Sequence, residues 1–323
     1  MSKELIKEKL NKFGFEKEPF LFVLSYNLEK FYIEKLSNLP QTIKFELNFK
    51  EHTKIKTTQK IELEKFPFSF FEYKKKFDIL QDEIKRGNSY LLNLTAKTKI
   101  KTALSLDEIY ENTQAKFKLR FKNLDEDFVC FSPERFVEIK KNKIFTYPMK
   151  GTIDANIPNA QARILGDIKE MAEHTMVVDL LRNDLGIIAS KVRVDKFRYV
   201  EKINAGNKKL LQVSSKISAN LQNNWHENIG DIITSILPAG SITGTPKKKT
   251  IEILKKVEDY DRDFYTGVFG VFDGVNLDSS VMIRFIEANK NGELFYKSGG
   301  GITSDSNVNL EYQELLDKIY LPF

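Results

Sequence analysis

Glu170 and Glu173 lie three residues apart in KEMAEH, and Glu311 and Glu314 repeat that spacing in EYQELLDK, with Lys318 one turn beyond. On a helix such residues share a face, so each pair sets like charges side by side at a cost of roughly a few tenths of a kcal/mol. A divalent cation reverses that cost. Carboxylate oxygens with room for water suit Mg²⁺, which usually takes one or two protein carboxylates. Zinc fits less well, because Glu170 stands where the inverted motif H-x-x-E-H has its first histidine. Either pair alone is also compatible with a solvated acidic helix face.

Other segments carry chemistry of their own. YPMKGT puts Lys150 directly before a glycine. LPAGSITGTPK precedes a helix, and amides at a helix N-terminus bind anions, but the spacing of the Walker loop fails. SGGGITSDS offers a second amide-rich turn before the Glu311 helix. Arg284 stands in the apolar stretch SSVMIRF; a buried arginine there demands an anion, and a substrate carboxylate would serve.

These residues need a scaffold. The 323 residues, 41% apolar and 30% charged, suit a globular chain with a substantial core. The formal charge of +6 admits an anionic small molecule, an acidic membrane or nucleic acid, but neither a zinc-finger spacing nor an RNP signature is present. No apolar run approaches a membrane span, MSKELIKEKLNKF reads as a charged helix without a leader's apolar region, and the single Cys130 points to a reducing cytoplasm. Strands are expected near 19–26, 42–49, 89–100, 128–132, 135–140, 143–147, 192–201, 210–221, 265–273, 277–288 and 293–298. Helices are expected over 73–87, 159–183 with Gly186 as a stop, 228–236, 246–258 with Pro246 in the first turn, and 310–320. Grouped strands between helices indicate an α+β fold of mainly antiparallel sheets. No linker composition divides the chain, so a single domain over 1–323 is expected.

Taken together, FSPERF, PMKGT, KEMAEHTMVVDLLRNDLG, PAGSITGTPK, YTGVFG, the Ile283–Arg284 pair, GGGITSDS and EYQELLDK resemble, in order, the motifs of the chorismate-utilising family from about Tyr73 to Phe323. The resemblance implies one large domain with antiparallel sheets packed face to face and helices outside, with residues 1–72 as a shortened, divergent N-terminal part. It implies Mg²⁺-dependent chemistry on chorismate, a dicarboxylate. Glu173 and Glu314 correspond to direct metal ligands, Glu170 and Glu311 to a water-bridged layer, and Lys318 to a nearby cation. Tyr265, Arg284 and the amides near Gly300 and Gly301 correspond to the pocket for the enolpyruvyl carboxylate, and Thr152, Thr243 and Gly244 to the lining of the substrate site.

Lys150 decides among family chemistries. Most members carry alanine at this point; P-x-K-G-T resembles the aminodeoxychorismate synthase branch. Replacing the C4 hydroxyl by nitrogen on the same face requires two displacements, so a lysine amine attacks C2 and ammonia then attacks C4. Glu134 of SPERF is the general acid expected for the departing hydroxyl. Gln212 stands where the family often has histidine; it orients by hydrogen bonding but carries no proton at neutral pH. The strand with Leu91 and Leu92 lacks the lysine that isochorismate synthases use to activate water. Cys130 is in a strand context rather than a glutaminase turn, so ammonia is expected from a separate glutamine amidotransferase subunit. Anthranilate synthase component I is the nearest alternative; a non-catalytic basic nucleic-acid-binding or scaffold protein is the alternative of another kind.

Overall fold

The computed structural model describes residues 2–47, 62–205 and 208–322. In chain order the elements are α1 Ser2–Phe15, β1 Phe20–Leu24, β2 Phe31–Lys35, β3 Lys44–Leu47, β4 Glu64–Phe66, α2 Phe70–Lys85, β5 Leu91–Lys101, α3 Leu106–Asn112, β6 Phe117–Lys122, β7 Asp127–Ser132, β8 Arg135–Lys140 and β9 Lys143–Thr146. Then come β10 Met149–Asp154, α4 Ala160–Gly166, α5 Ile168–Ile188, β11 Ser190–Ala205, β12 Lys208–Asn220, α6 Ile229–Ile236, β13 Gly244–Thr245, α7 Lys247–Val257, β14 Val268–Phe272, β15 Leu277–Val281, β16 Phe285–Ala288, β17 Leu294–Ile302 and α8 Val308–Asp317. The last two residues of the strand expected over 42–49 lie outside the described residues.

Two compact units result. The first comprises Met1–Leu39, Glu134–Ser241 and Gly267–Val281; the second comprises Pro40–Pro133, Ile242–Thr266 and Met282–Phe323. The first is built on a sheet in the order β10-β12-β9-β8-β15-β14-β1-β2, with β11 on the other side of β12. The second is built on β13-β5-β17-β16-β7-β6-β3, with β4 also on β5. Every described pairing in both is antiparallel, so the α+β class with antiparallel sheets holds.

In the second unit Leu92, Leu94 and Ala96 alternate toward Tyr73, Phe77 and Leu80 of α2 and Ile253, Leu254 and Val257 of α7. α2 and α3 start at reciprocal capping boxes, Ser69 with Glu72 and Ser105 with Glu108. In the first unit Phe13 of α1 and Phe272 of β14 pack on Phe20, with ring centroids 5.7 and 5.6 Å away.

Four expectations are corrected. The helix expected over 159–183 is two helices, because the Asp167 carboxylate caps a new start by accepting the Glu170 N–H at 2.9 Å. Gly186 does not stop α5, which runs on to Ile188. Pro246 is the extended N-cap of α7 rather than its first helical residue. The strand expected over 277–288 breaks between Val281 and Phe285, with Arg284 left-handed at φ 55°.

Candidate functional site

Glu134, Lys150, Thr152, Glu170, Glu173 and Gln212 belong to the first unit; Thr243, Gly244, Tyr265, Arg284, Gly300, Gly301, Glu311, Glu314 and Lys318 belong to the second.

In the first unit β8 and β9 form a hairpin whose turn residues, Lys141 and Asn142, have φ of 49° and 58°, the left-handed pair that fits the strand twist. Glu134 stands at the open end of that hairpin. Its carbonyl accepts from Ser280 Oγ at 2.8 Å and Val281 N at 3.2 Å, and its carboxylate accepts from the Ser241 hydroxyl. β9 and β10 follow one another along β12. Met149 pairs with Ser214 and Thr152 with Gln212, three steps against two, so a bulge falls at Lys150 and Gly151. Gly151 has φ 78°, a conformation that costs glycine little. Bulges re-aim side chains, and this one accounts for a lysine before a glycine. Lys150 Nζ donates to Glu173 Oε2 at 2.9 Å, while Lys169 Nζ lies 3.8 Å from Glu173 Oε1. A Cβ on Gly151 would sit 3.2 Å from Glu170 Oε2, so both carboxylates of the first pair reach the bulge. Gln212 is half-buried directly opposite exposed Thr152.

Sequence reasoning missed His174. It is fully buried, with Nε2 2.6 Å from Ser215 Oγ, which also accepts the Arg198 N–H at 2.9 Å. Burial first, then the charges of Arg198 and Lys150, push its imidazole down to about 4. The signal was its place in the inward stripe Glu173, His174, Val177, Val178 and Leu181. The helix thus sets an imidazole against Ser215 of β12.

The part of PAGSITGTPK in the second unit, from Ile242 on, forms a short strand directly before α7. Gly244 and Thr245 pair with Leu92 and Leu91, and the Thr243 carbonyl accepts the Asn93 N–H at 3.0 Å. Gly244 has φ 123°, and a Cβ there would lie 1.9 Å from the Leu91 carbonyl oxygen, so no side chain fits. The expected glycine turn is also a strand: Gly300 pairs with Leu94 and Gly301 with Asn93, and the turn begins only at Thr303. β16 pairs with β17 as far as Lys297, so alternate amides of Ser298–Ile302 lie on an edge that no described strand covers. α8 approaches this bare strand. A Cβ on Gly300 would be 3.8 Å from Glu311 Oε2 and 3.9 Å from Lys318 Nζ, and Lys318 donates to the Gly299 carbonyl at 2.8 Å and pairs with Glu314 at 2.6 Å.

Tyr265 is buried. The Arg284 guanidinium lies over the Tyr320 ring at 5.5 Å and bonds its hydroxyl at 3.4 Å. Among the described residues no carboxylate forms an ion pair with Arg284, which leaves the demand for an anion open. No three histidine, cysteine, aspartate or glutamate side chains among the described residues form a metal-binding group. Mg²⁺ does not require one, since one or two carboxylates plus waters suffice, and the all-oxygen donors of both pairs fit that ion. Cys130 is buried in β7 with its thiol pushed up by burial, which fits no nucleophile.

A family model described as chorismate binding enzyme matches residues 9–322. An uncharacterized PabA-like protein of Haemophilus influenzae is 46% identical over 98% of this chain and 95% of its own. Aminodeoxychorismate synthase component 1 of Salmonella typhimurium is 32% identical over 77% of this chain, which spans 56% of that protein. A putative 2,3-dihydroxybenzoate-specific isochorismate synthase from Bacillus anthracis shares the fold, with TM-score 0.71 and 20% identity over 98% of this chain and 86% of its own. No described helix is long and apolar enough to cross a membrane.

Proposed function

Because the chain belongs to the chorismate-binding enzymes, we propose that it aminates chorismate to 4-amino-4-deoxychorismate. One observation carries this choice: Lys150 is presented by a bulge and held 2.9 Å from Glu173. Its amine attacks C2 of the ring as the C4 hydroxyl leaves with a proton from Glu134; ammonia then attacks C4, and the lysine departs from C2. To act, the amine must be neutral, and a Mg²⁺ held by the neighbouring Glu173 would favour that form. Support for Glu134 comes from its place directly before β8, with its carboxylate held by the Ser241 hydroxyl.

Arg284 and Tyr265 suit the enolpyruvyl carboxylate, because among the described residues no carboxylate pairs with the guanidinium, which bonds the Tyr320 hydroxyl. Thr152, Thr243, Gly244, Gln212, Lys318 and the Gly300 and Gly301 amides are assigned to the substrate. Mg²⁺ bound by Glu173 and Glu314, with Glu170 and Glu311 behind them, would neutralise the ring carboxylate. Ammonia would come from a separate glutamine amidotransferase; cytoplasmic action in folate synthesis, through para-aminobenzoate, belongs to the same reading.

The test is incubation with chorismate, Mg²⁺ and ammonium. Aminobenzoate that appears only after a lyase is added is the expected result, with a chorismate-derived adduct on the Lys150 peptide by mass spectrometry. Fluorescent anthranilate formed directly would reject the assignment in favour of anthranilate synthase chemistry.

A further inference from the structure

The second unit buries an ion pair that the proposed chemistry does not use. Arg262 Nε and Nη2 donate to the two oxygens of Glu258 at 2.8 and 2.7 Å, with the side chains 2% and 6% exposed. The remaining guanidinium donors leave the pair. Nη2 donates to the Asn93 carbonyl at 2.7 Å, and Nη1 donates to the Ile242 carbonyl at 3.1 Å and to Thr266 Oγ1 at 3.5 Å. The Arg262 carbonyl accepts the Tyr265 N–H at 2.9 Å and Lys297 Nζ at 3.1 Å. Glu258 is itself seated by the Thr95 N–H and hydroxyl, at 2.9 and 2.7 Å.

Each guanidinium bond outside the pair ends beside a residue assigned to the substrate. Ile242 leads into Thr243 and Gly244. Asn93 pairs with Gly301 and donates to the Thr243 carbonyl. Thr266 follows Tyr265 and has φ 62°, an outlier for a β-branched residue that persists only where its surroundings fix it. A buried ion pair is weak evidence for stability as such, whereas a planar five-donor fork fixes geometry.

We infer that Arg262, seated on Glu258, is a positioning residue that locks Thr243–Gly244, Tyr265–Thr266 and β5 beside Gly301 in one geometry for substrate binding. The inference rests on the proposed chorismate reading for the identity of the ligand. Because the clamp sets binding geometry and touches no reacting atom, its loss acts on KM more than on kcat.

The experiment compares wild type with Arg262→Lys, which keeps the charge and loses the fork, and with Glu258→Gln, which keeps the guanidinium and weakens its seat. In Arg262→Lys, KM for chorismate is expected to rise about tenfold with kcat within about twofold, and Glu258→Gln to follow with a smaller rise. Amide exchange is expected to speed up at Asn93 and Thr266 in both variants without substrate. If Arg262→Lys does not fold, Glu258→Gln decides. A folded variant with wild-type KM overturns the inference, and so does unchanged exchange at those amides. Faster exchange in a protein whose wild type does not turn over chorismate supports the clamp and overturns the chorismate reading instead.

Discussion

Lys150→Ala separates chemistry from architecture. The variant removes an ammonium 2.9 Å from Glu173, where the two side chains are 26% and 10% exposed. Two charges 4 Å apart attract by about 1 kcal/mol in water and about 4 kcal/mol at an effective dielectric of 20. Glu173 is not left alone, because Lys169 stays 3.8 Å away. The net loss is therefore expected at about 1–2 kcal/mol, below the 3–5 kcal/mol of stripping a fully buried pair. That corresponds to a melting point lower by roughly 2–8 °C for units of this size. A double-mutant cycle with Glu173→Gln, run in chelator, is expected to return about 1 kcal/mol of coupling. In the coupled lyase assay Lys150→Ala should form no aminobenzoate while its circular dichroism stays native. Aminobenzoate at the wild-type rate would remove Lys150 from the mechanism, and zero coupling would show that the observed ion pair contributes nothing.

Other outcomes follow from the same geometry. The unfolded chain protonates His174 near 6.5 and the native protein only near 4, so its contribution to stability is whole above pH 6.5 and is lost as the pH falls toward 4. His174→Gln should flatten the melting-point profile across that window, and an unchanged slope would contradict the assignment. Gly244→Ala must place a Cβ 1.9 Å from the Leu91 oxygen at φ 123°, so a loss of about 3 kcal/mol or more is expected in urea titration. Withdrawing Mg²⁺ should abolish chorismate binding by calorimetry, and Glu173→Gln and Glu314→Gln should each weaken the Mg²⁺ dependence; binding indifferent to the metal would reject the donor assignment.

Much of the fold was legible where one physical rule governed. β8 and β9 alternate cleanly around a short turn, and α2 ends before Gly87. Legibility failed where tertiary contacts overruled local signals. FKLRFK hides β6 because Lys118 and Arg120 read as exposed, yet both are buried against Glu46, Asp107 and Asp127. GGGIT reads as a turn, yet pairing with β5 makes it a strand. α3 carries a capping box in SLDE, but its seven residues are too few for a helical period to show. The family was legible because motif order is a sequence property. The bulge at Lys150, the buried His174 and the Arg262 fork were not, since each depends on partners distant in the chain.

The bulge at Lys150 and Gly151 has a consequence for length variation. It exists because β10 holds one residue more than β12 can match. Removing Gly151 would repair the ladder and keep Thr152 opposite Gln212, so the sheet would gain regularity from the deletion. The same cut would return Lys150 to the ordinary parity of a strand and turn its amine away from Glu173. A shortened chain of that kind should melt no lower than Lys150→Ala, which loses the same ion pair without regaining the ladder, and yet be as inert; the odd residue is then kept for function rather than for order.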